Sequence, residues 1–185
     1  MSIAAIILAG GASSRMGSPK ALLTYRGETF LDRLIGIFNP VCDRTIVVLG
    51  YNHQRIRDGL SRDATFVVNP YPEHGQLSSL QCGLRAAGDA EAVFFTPVDY
   101  PAFEASTVRA MLPLAGTFAM PRYRGTRGHP VLIDRPLIDE LLACQTSARE
   151  VIRSHHPSYV EVDDSGILDD VDDPAAYARL EAAIR

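Results

Sequence analysis

The chain has 185 residues, 46% of them hydrophobic and 22% charged, with a formal net charge of −4 at pH 7. That length suits one domain spanning residues 1–185, and the composition excludes disorder, collagen and coiled coil as descriptions of the whole. Cys42, Cys82 and Cys144 lie far apart with no CxxC pair, which excludes a disulfide framework or a zinc cluster and suits a reducing cytoplasm. The charge is uneven. From Glu161 onward there are eight acidic residues against Arg179 and Arg185, −6 in all, so residues 1–160 carry +2. No basic stripe with interleaved aromatics is present, which argues against nucleic acid as a partner. A mildly basic body with a local acidic cluster fits a small anionic ligand and a divalent cation.

The first apolar run, Ile3 to Ala9, is too short to span a bilayer and has no basic segment before it, so it reads as a strand and no membrane partner is expected. Ile3–Leu8, Thr45–Leu49, Thr65–Val68 and Ala92–Thr96 all read as buried strands. Their continuous apolar character is that of parallel strands covered on both faces. Between them, Thr29–Phe38, His53–Leu60, Ser78–Ala87 and Glu104–Leu112 carry apolar residues at helical spacing. This alternation predicts an α/β fold with a mostly parallel, doubly wound sheet. After Pro113 the rhythm changes. Strands are expected at Phe118–Met120 and Pro130–Ile133 around an Arg/Gly-rich loop, Arg122 to Gly128. Helices follow at Leu137–Ala143 and Ala148–Ser154, then a strand at Tyr159–Val162 and a last helix from Pro174.

The first strand runs into Leu8-Ala9-Gly10-Gly11-Ala12-Ser13-Ser14-Arg15-Met16-Gly17-Ser18-Pro19-Lys20. Small residues at this point let backbone N–H groups approach phosphate oxygens. A P-loop needs Lys directly after its last Gly, but Ser18 and Pro19 intervene here. A dinucleotide fingerprint needs GxGxxG and an acidic residue ending the second strand, but that strand ends Leu49-Gly50. What remains is a Gly-Gly loop with two cations. Arg15 can clamp a phosphate with two donors, and Lys20 supplies a compact charge to a neighbouring one.

Asp99 falls just past the strand Ala92–Thr96, at the carboxyl edge where open α/β sheets place ligands. A carboxylate facing a triphosphate needs a cation between them, and Mg²⁺ is the natural mediator. A second carboxylate is expected from Asp163–Asp173, where most aspartates read as solvated or helix-starting charges, Asp172 and Asp173 among them. Gly75 to Ser79 opens a helix whose free N–H groups, with the Ser78 and Ser79 hydroxyls, either serve a nucleobase or ribose or simply cap the helix. Arg122, Arg124, Arg127 and His129 form a compact basic loop able to receive an anionic acceptor. His74, His155, His156 and Cys82 read as structural.

The segment LAGGASSRMGSPKALL resembles the signature of nucleotidyltransferases with a pyrophosphorylase-type loop, and among them the MobA-like branch that attaches nucleotides to molybdopterin. The likeness continues through Asn69 with Gly75-Gln76-Leu77-Ser78-Ser79-Leu80, then Pro97-Val98-Asp99-Tyr100-Pro101, Arg127-Gly128-His129-Pro130 and Asp170-Val171-Asp172-Asp173-Pro174. Arg127-Gly128-His129-Pro130 and Ser147-Ala148-Arg149 are similar to the cytidylyltransferase subgroup. The resemblance implies a Rossmann-like nucleotidyltransferase using Mg²⁺ to transfer CMP from CTP to the phosphate of a molybdopterin-type acceptor, with a molybdoenzyme as eventual recipient. It implies a nucleotide site of Leu8, Ala9, Gly10, Gly11, Ser13, Arg15, Lys20, Asn69, Gly75, Ser78 and Ser79. Arg15, Lys20 and Asp99 would be catalytic, and Arg127 and His129 would contact the acceptor. Asp99 and Asp170 would hold the metal, with Asp172 the alternative to Asp170. Two departures stand out. Tyr100 replaces the Met often found after the Asp, and Ala9-Gly10-Gly11 stands where the cytidylyl branch often has Ala-Ala-Gly, which keeps guanylyl transfer open. A second alternative is a non-catalytic chaperone that carries the cofactor.

Overall fold

A computed structural model describes residues 1–184. In chain order these form β1 (Ile3–Ala9), β2 (Thr24–Tyr25), β3 (Glu28–Thr29), α1 (Phe30–Phe38), β4 (Arg44–Leu49), α2 (His53–Asp58), β5 (Thr65–Val68), α3 (Gly75–Ala87) and β6 (Ala92–Pro97). The second half follows as α4 (Ala105–Met111), β7 (Ala119–Tyr123), β8 (Thr126–Arg127), β9 (Val131–Asp134), α5 (Arg135–Ala143), α6 (Ala148–Ser154), β10 (Ser158–Glu161) and α7 (Pro174–Ala182). The strand positions read from apolar runs hold to within a residue or two, except that β7 continues three residues past Met120 to Tyr123. Two helices start earlier than expected. The turn Pro72–His74 feeds α3 directly at Gly75, and Asp134 caps α5 ahead of Pro136, accepting from the Leu137 N–H.

Eight of the ten strands form one sheet ordered β5-β4-β1-β6-β9-β7-β10, with β8 paired to β7, and β2 and β3 pair antiparallel as a separate two-stranded sheet. The pairs β5–β4, β4–β1, β1–β6 and β7–β10 are parallel. β9 runs antiparallel to both neighbours, and β7–β8 is a hairpin whose register sets Arg122 opposite Arg127. The Arg/Gly-rich loop expected between Arg122 and Gly128 is therefore largely strand. Residues of β1 alternate between two buried layers. Ala5, Ile7 and Ala9 join the apolar cluster with α1 and α4, while Ala4, Ile6 and Leu8 join the one with α3 and α5. Covering both faces explains why the strand reads as continuously apolar.

β1 lies between β4 and β6, so the chain leaves it for one side first and returns to the other side later. Where the strand order reverses in this way, the loops beyond the carboxyl ends part and leave a crevice. The Gly-Gly loop follows β1 and Asp99 follows β6, so both open onto that crevice. Among the described residues no helix is long and apolar enough to cross a membrane.

Candidate active site

The first loop is fixed at several points. A Cβ on Gly50 would sit 2.5 Å from the Gly10 carbonyl oxygen, so the end of β4 can lie against the loop only without a side chain there. Ser13 has a left-handed backbone (φ 51°), its carbonyl accepts from Met16 N–H at 3.0 Å, and its hydroxyl accepts from Lys20 N–H at 3.1 Å. Ser13 thus closes the loop onto Lys20, which stands on a short turn immediately after Pro19.

Asp99 is fixed from two directions. The preceding Val98 N–H donates to the Leu8 carbonyl at 3.0 Å, and the Asp99 carbonyl accepts from Val171 N–H at 2.8 Å. The second bond docks the segment between Ile167 and Asp173, here termed the strap, beside the end of β6. Val171 is buried, and Asp170 and Asp172 flank it. Carboxylate oxygens of Asp99, Asp170 and Asp172 come within 4.8 Å of one another.

Two cations face this trio. Lys20 Nζ donates to Asp172 Oδ1 at 2.6 Å and to Asp99 Oδ2 at 3.2 Å, and Arg15 Nη2 donates to Asp172 Oδ2 at 3.1 Å. Burial lowers the Lys20 pKa, but its bond to Asp172 and the charge of Asp99 outweigh that, and the ammonium ends above its ordinary value. The hydrogen bond from Lys20 holds Asp172 below the usual carboxylate range. Asp99 and Asp170 move the other way. Burial raises both, Lys20 compensates only in part, and the neighbouring carboxylates add to the rise. Asp99 Oδ1 is buried and has no hydrogen-bond partner. The trio is short of positive charge.

That deficit and the donor set fit a small hard divalent cation, which takes carboxylate oxygens and shares its remaining positions with phosphate or water. The orphaned Asp99 oxygen is where such an ion would be satisfied first.

Two adjoining cavities open at this centre. The first, of about 310 Å³, is lined by the loop from Leu8 through Arg15, by Lys20, and by Gly75, Gln76 and Ser79 of α3. The second, of about 590 Å³, is lined by Arg127, His129, Tyr100 and the arginines of α6. Asp99 and Asp172 border both, with Leu8, Gln76 and Pro97. His129 lies against Tyr100, with ring centroids 4.3 Å apart, and burial takes its pKa down to about 4 against the pull of the Phe95 backbone. It is therefore a neutral imidazole at physiological pH.

Most of the residues singled out in the sequence line one of these cavities. Leu8, Ala9, Gly10, Gly11, Ser13, Gly75 and Ser79 line the first, Arg127 and His129 the second. Asn69 and Ser78 line neither. The Asn69 amide donates to Ser78 Oγ at 2.7 Å and Ser79 Oγ at 3.1 Å and accepts from Tyr71 N–H at 3.0 Å, so this group holds the turn that leads into α3. Arg122 pairs with Glu161, and Arg124 lies over the Tyr123 ring. His155 pairs with Glu140, and His74 stacks on Tyr71.

The acidic stretch sorts differently from the expectation. Asp173 alone caps α7, accepting from Ala176 N–H at 2.8 Å, whereas Asp172 turns to Lys20 and Arg15. Asp164 is buried and structural, accepting from Glu104 N–H at 2.8 Å and Thr107 Oγ1 at 2.6 Å. Gln76 belongs to the Gly75–Ser79 segment that the resemblance brings to the nucleotide, whereas Arg153 carries no such signal in the sequence.

Known proteins resemble the chain in sequence and in fold. Residues 5–159 match the MobA-like NTP transferase domain. The chain is 29% identical to the molybdenum cofactor cytidylyltransferase of Escherichia coli K12, over 91% of this chain and 90% of that one. It is also 29% identical to nicotine blue oxidoreductase of Paenarthrobacter nicotinovorans, over 96% of each. Among solved structures, Rv0371c of Mycobacterium tuberculosis H37Rv superposes with a TM-score of 0.85 at 27% identity, covering 98% of this chain and 97% of that one. The same Mycobacterium protein has been solved in complex with manganese, with a TM-score of 0.82 at 25% identity over 99% and 100% of the two chains. With that domain spanning most of its length and its loop, carboxylates and crevice in place, the chain belongs to the MobA-like NTP transferase family of nucleotidyltransferases.

Proposed function

We propose that this chain is a Mg²⁺-dependent cytidylyltransferase, moving CMP from CTP to the phosphate of a molybdopterin-type acceptor and releasing pyrophosphate. One observation carries the reading. Two cavities of different chemistry meet at a shared set of carboxylates, with Lys20 and Arg15 on the nucleotide side. Such an arrangement places two substrates end to end across one reacting phosphorus.

The residues of the chain divide the work. Amides of the Gly10–Gly11 loop and the N-terminal turn of α3 offer donors to the nucleotide. Lys20 and Arg15 exchange the Asp172 carboxylate for phosphate oxygens when the triphosphate enters. They then stabilise the charge that builds on the departing pyrophosphate. Asp99, Asp170 and Asp172 would hold Mg²⁺, which when bound supplies Lewis-acid neutralisation of phosphate charge; that the Mycobacterium relative forms a complex with manganese supports the use of a divalent ion. The acceptor phosphate attacks the α-phosphorus, the bond to the bridging oxygen breaks, and no covalent protein intermediate is required. Catalysis is positioning plus charge stabilisation.

Gly11 bears on nucleotide choice. Gly11 lines the first cavity, and a Cβ built there meets no atom of the protein within 4 Å. The Gly therefore leaves room for a purine without excluding a pyrimidine, and the likeness to the Escherichia coli cytidylyltransferase favours CTP. The oxidoreductase relative raises a redox alternative, but β4 ends at Leu49-Gly50 with no acidic residue to take a ribose hydroxyl.

The test is pyrophosphate release from CTP or GTP with molybdopterin as acceptor, with Mg²⁺ and with chelator. Faster release from CTP that stops in chelator supports the proposal. Faster turnover of GTP would reassign the nucleotide, and nucleotide and acceptor binding without pyrophosphate would point to a carrier.

A further inference from the structure

We infer that Asp172 is a specificity-determining residue that takes the place of a phosphate in the free protein, so that the site accepts the divalent-cation complex of a nucleotide and resists the metal-free triphosphate. The inference deepens the proposed function and rests on its assignment of Lys20 and Arg15 to phosphate.

The two oxygens of Asp172 are divided between the two cations of the first loop. Lys20 Nζ donates to Oδ1 at 2.6 Å and Arg15 Nη2 to Oδ2 at 3.1 Å. One carboxylate thus spans both cations as two oxygens of one phosphate would. The contact is not a local accident of the chain, since 152 and 157 residues separate Asp172 from Lys20 and Arg15.

The backbone around this contact is fixed on each side. Val171 is buried and its N–H donates to the Asp99 carbonyl at 2.8 Å, while Asp173 caps α7 by accepting from Ala176 N–H at 2.8 Å. Helix α7 is docked in turn through Tyr177, whose hydroxyl donates to the carbonyl of Thr24 on β2 at 3.0 Å and whose ring meets Phe30 edge-on at 5.8 Å. β2 follows directly on the turn that carries Lys20. Asp172 and Lys20 therefore stand on segments tied to each other, and rotation of the Asp172 side chain is enough to free the cations. A competitor tethered in this way acts at a high effective concentration, which an incoming triphosphate must overcome.

The same carboxylate belongs to the trio whose oxygens lie within 4.8 Å of one another. An Asp172 oxygen drawn to a divalent cation beside Asp99 and Asp170 is less available to Lys20 and Arg15. Cation and triphosphate therefore favour the same release, and by linkage each strengthens binding of the other. Asp170 separates this competition from simple charge. It carries the same charge in the same trio, but Lys20 pairs with Asp99 and Asp172, and Arg15 with Asp172, not with Asp170.

Inorganic tripolyphosphate carries the phosphate chain without a base, so it probes this contact whatever nucleotide the enzyme prefers. Its binding should be measured by calorimetry in excess EDTA for the wild type, Asp172→Asn, Asp172→Ala and Asp170→Asn. Circular dichroism and melting temperature report whether each variant is folded. The inference predicts that both Asp172 variants bind metal-free tripolyphosphate at least about fivefold tighter than the wild type. Asp170→Asn should change it by less than about twofold, because Asp170 is exposed and its charge is screened. No tightening in the Asp172 variants, or tightening as large in Asp170→Asn, overturns the inference. Pyrophosphate release from CTP or GTP by the wild type, with Mg²⁺ and molybdopterin, is scored separately. Release without the predicted tightening refutes the inference alone. Tightening confined to the Asp172 variants, without release from either nucleotide, supports the inference and refutes the proposed function.

Discussion

Gly128 joins the acceptor side of the site to the carboxylates, and Gly128→Ala tests that coupling. A Cβ built on Gly128 would sit 2.1 Å from the Ile167 carbonyl oxygen, 2.7 Å from its carbon and 2.9 Å from the Ile167 Cβ. Cβ contacts below 3.0 Å are essentially never seen, so the two segments must part by about 0.9 Å, the difference between 3.0 and 2.1 Å. Two of the three obstructing atoms are backbone, so no rotamer change relieves the clash. Parting also stretches the bond from His129 N–H to the Ile167 carbonyl, 3.0 Å long. Overpacking of this kind destabilises by about 1–3 kcal/mol. The strap that retreats is the one that carries Asp170 and Asp172, and displacement of a reacting group by about 1 Å can reduce turnover by about 10²-fold. Urea unfolding and pyrophosphate-release kinetics measure the two effects, with Gly11→Ala, whose new methyl meets no protein atom within 4 Å, as the control for the unfolding measurement alone. Gly128→Ala with stability unchanged within about 0.5 kcal/mol and kcat within about twofold would refute the claim that this contact positions the carboxylates.

Four further outcomes follow from the same geometry. Lys20→Ala should lower kcat by about 10²-fold or more while leaving the protein folded, and Arg15→Lys should fail to restore full activity because the two-donor geometry is lost; near-normal pyrophosphate release from Lys20→Ala would contradict the phosphate-loop assignment. Asp99→Asn should abolish most activity and Asp170→Asn should raise the Mg²⁺ concentration needed for half-maximal rate, measured by metal titration. His129, with its pKa lowered from 6.5 to about 4, links stability to acid: the unfolded chain takes up the proton first, so stability is complete above pH 6.5 and falls toward pH 4, by at most about 1.4 kcal/mol per pH unit. Urea midpoints across that range should show a shallower slope for His129→Gln. Gly11→Ala should leave the melting temperature of the free enzyme unchanged and increase the ratio of kcat/KM for CTP over GTP, by up to about 10-fold.

Residues at the ends of buried strands were the most legible part of the site. Gly10, Arg15 and Lys20 follow β1 and Asp99 follows β6, and long apolar runs mark both strands unambiguously. Periodicity carries no information about which strands are neighbours, so the antiparallel β9 between β6 and β7 was not foreseen. The two-residue strands β2, β3 and β8 are too short to produce a pattern. The aspartate-rich stretch could not be sorted by spacing, because its roles depend on long-range contacts. The Val171–Asp99 backbone bond sets Asp170 and Asp172 beside the site, while Asp173 caps its own helix and Asp164 anchors the start of α4. Asn69 shows the opposite case, a residue implied by resemblance whose side chain is engaged in fixing Ser78 and Ser79.

Following label from CTP tests nucleotidyl transfer across the carboxylate border. With molybdopterin and Mg²⁺ present, CTP labelled at the α-phosphate should transfer its label to the acceptor, and CTP labelled at the γ-phosphate should release it as pyrophosphate. Label from the γ-phosphate appearing on the acceptor, or α-label remaining entirely with free nucleotide, would contradict the account.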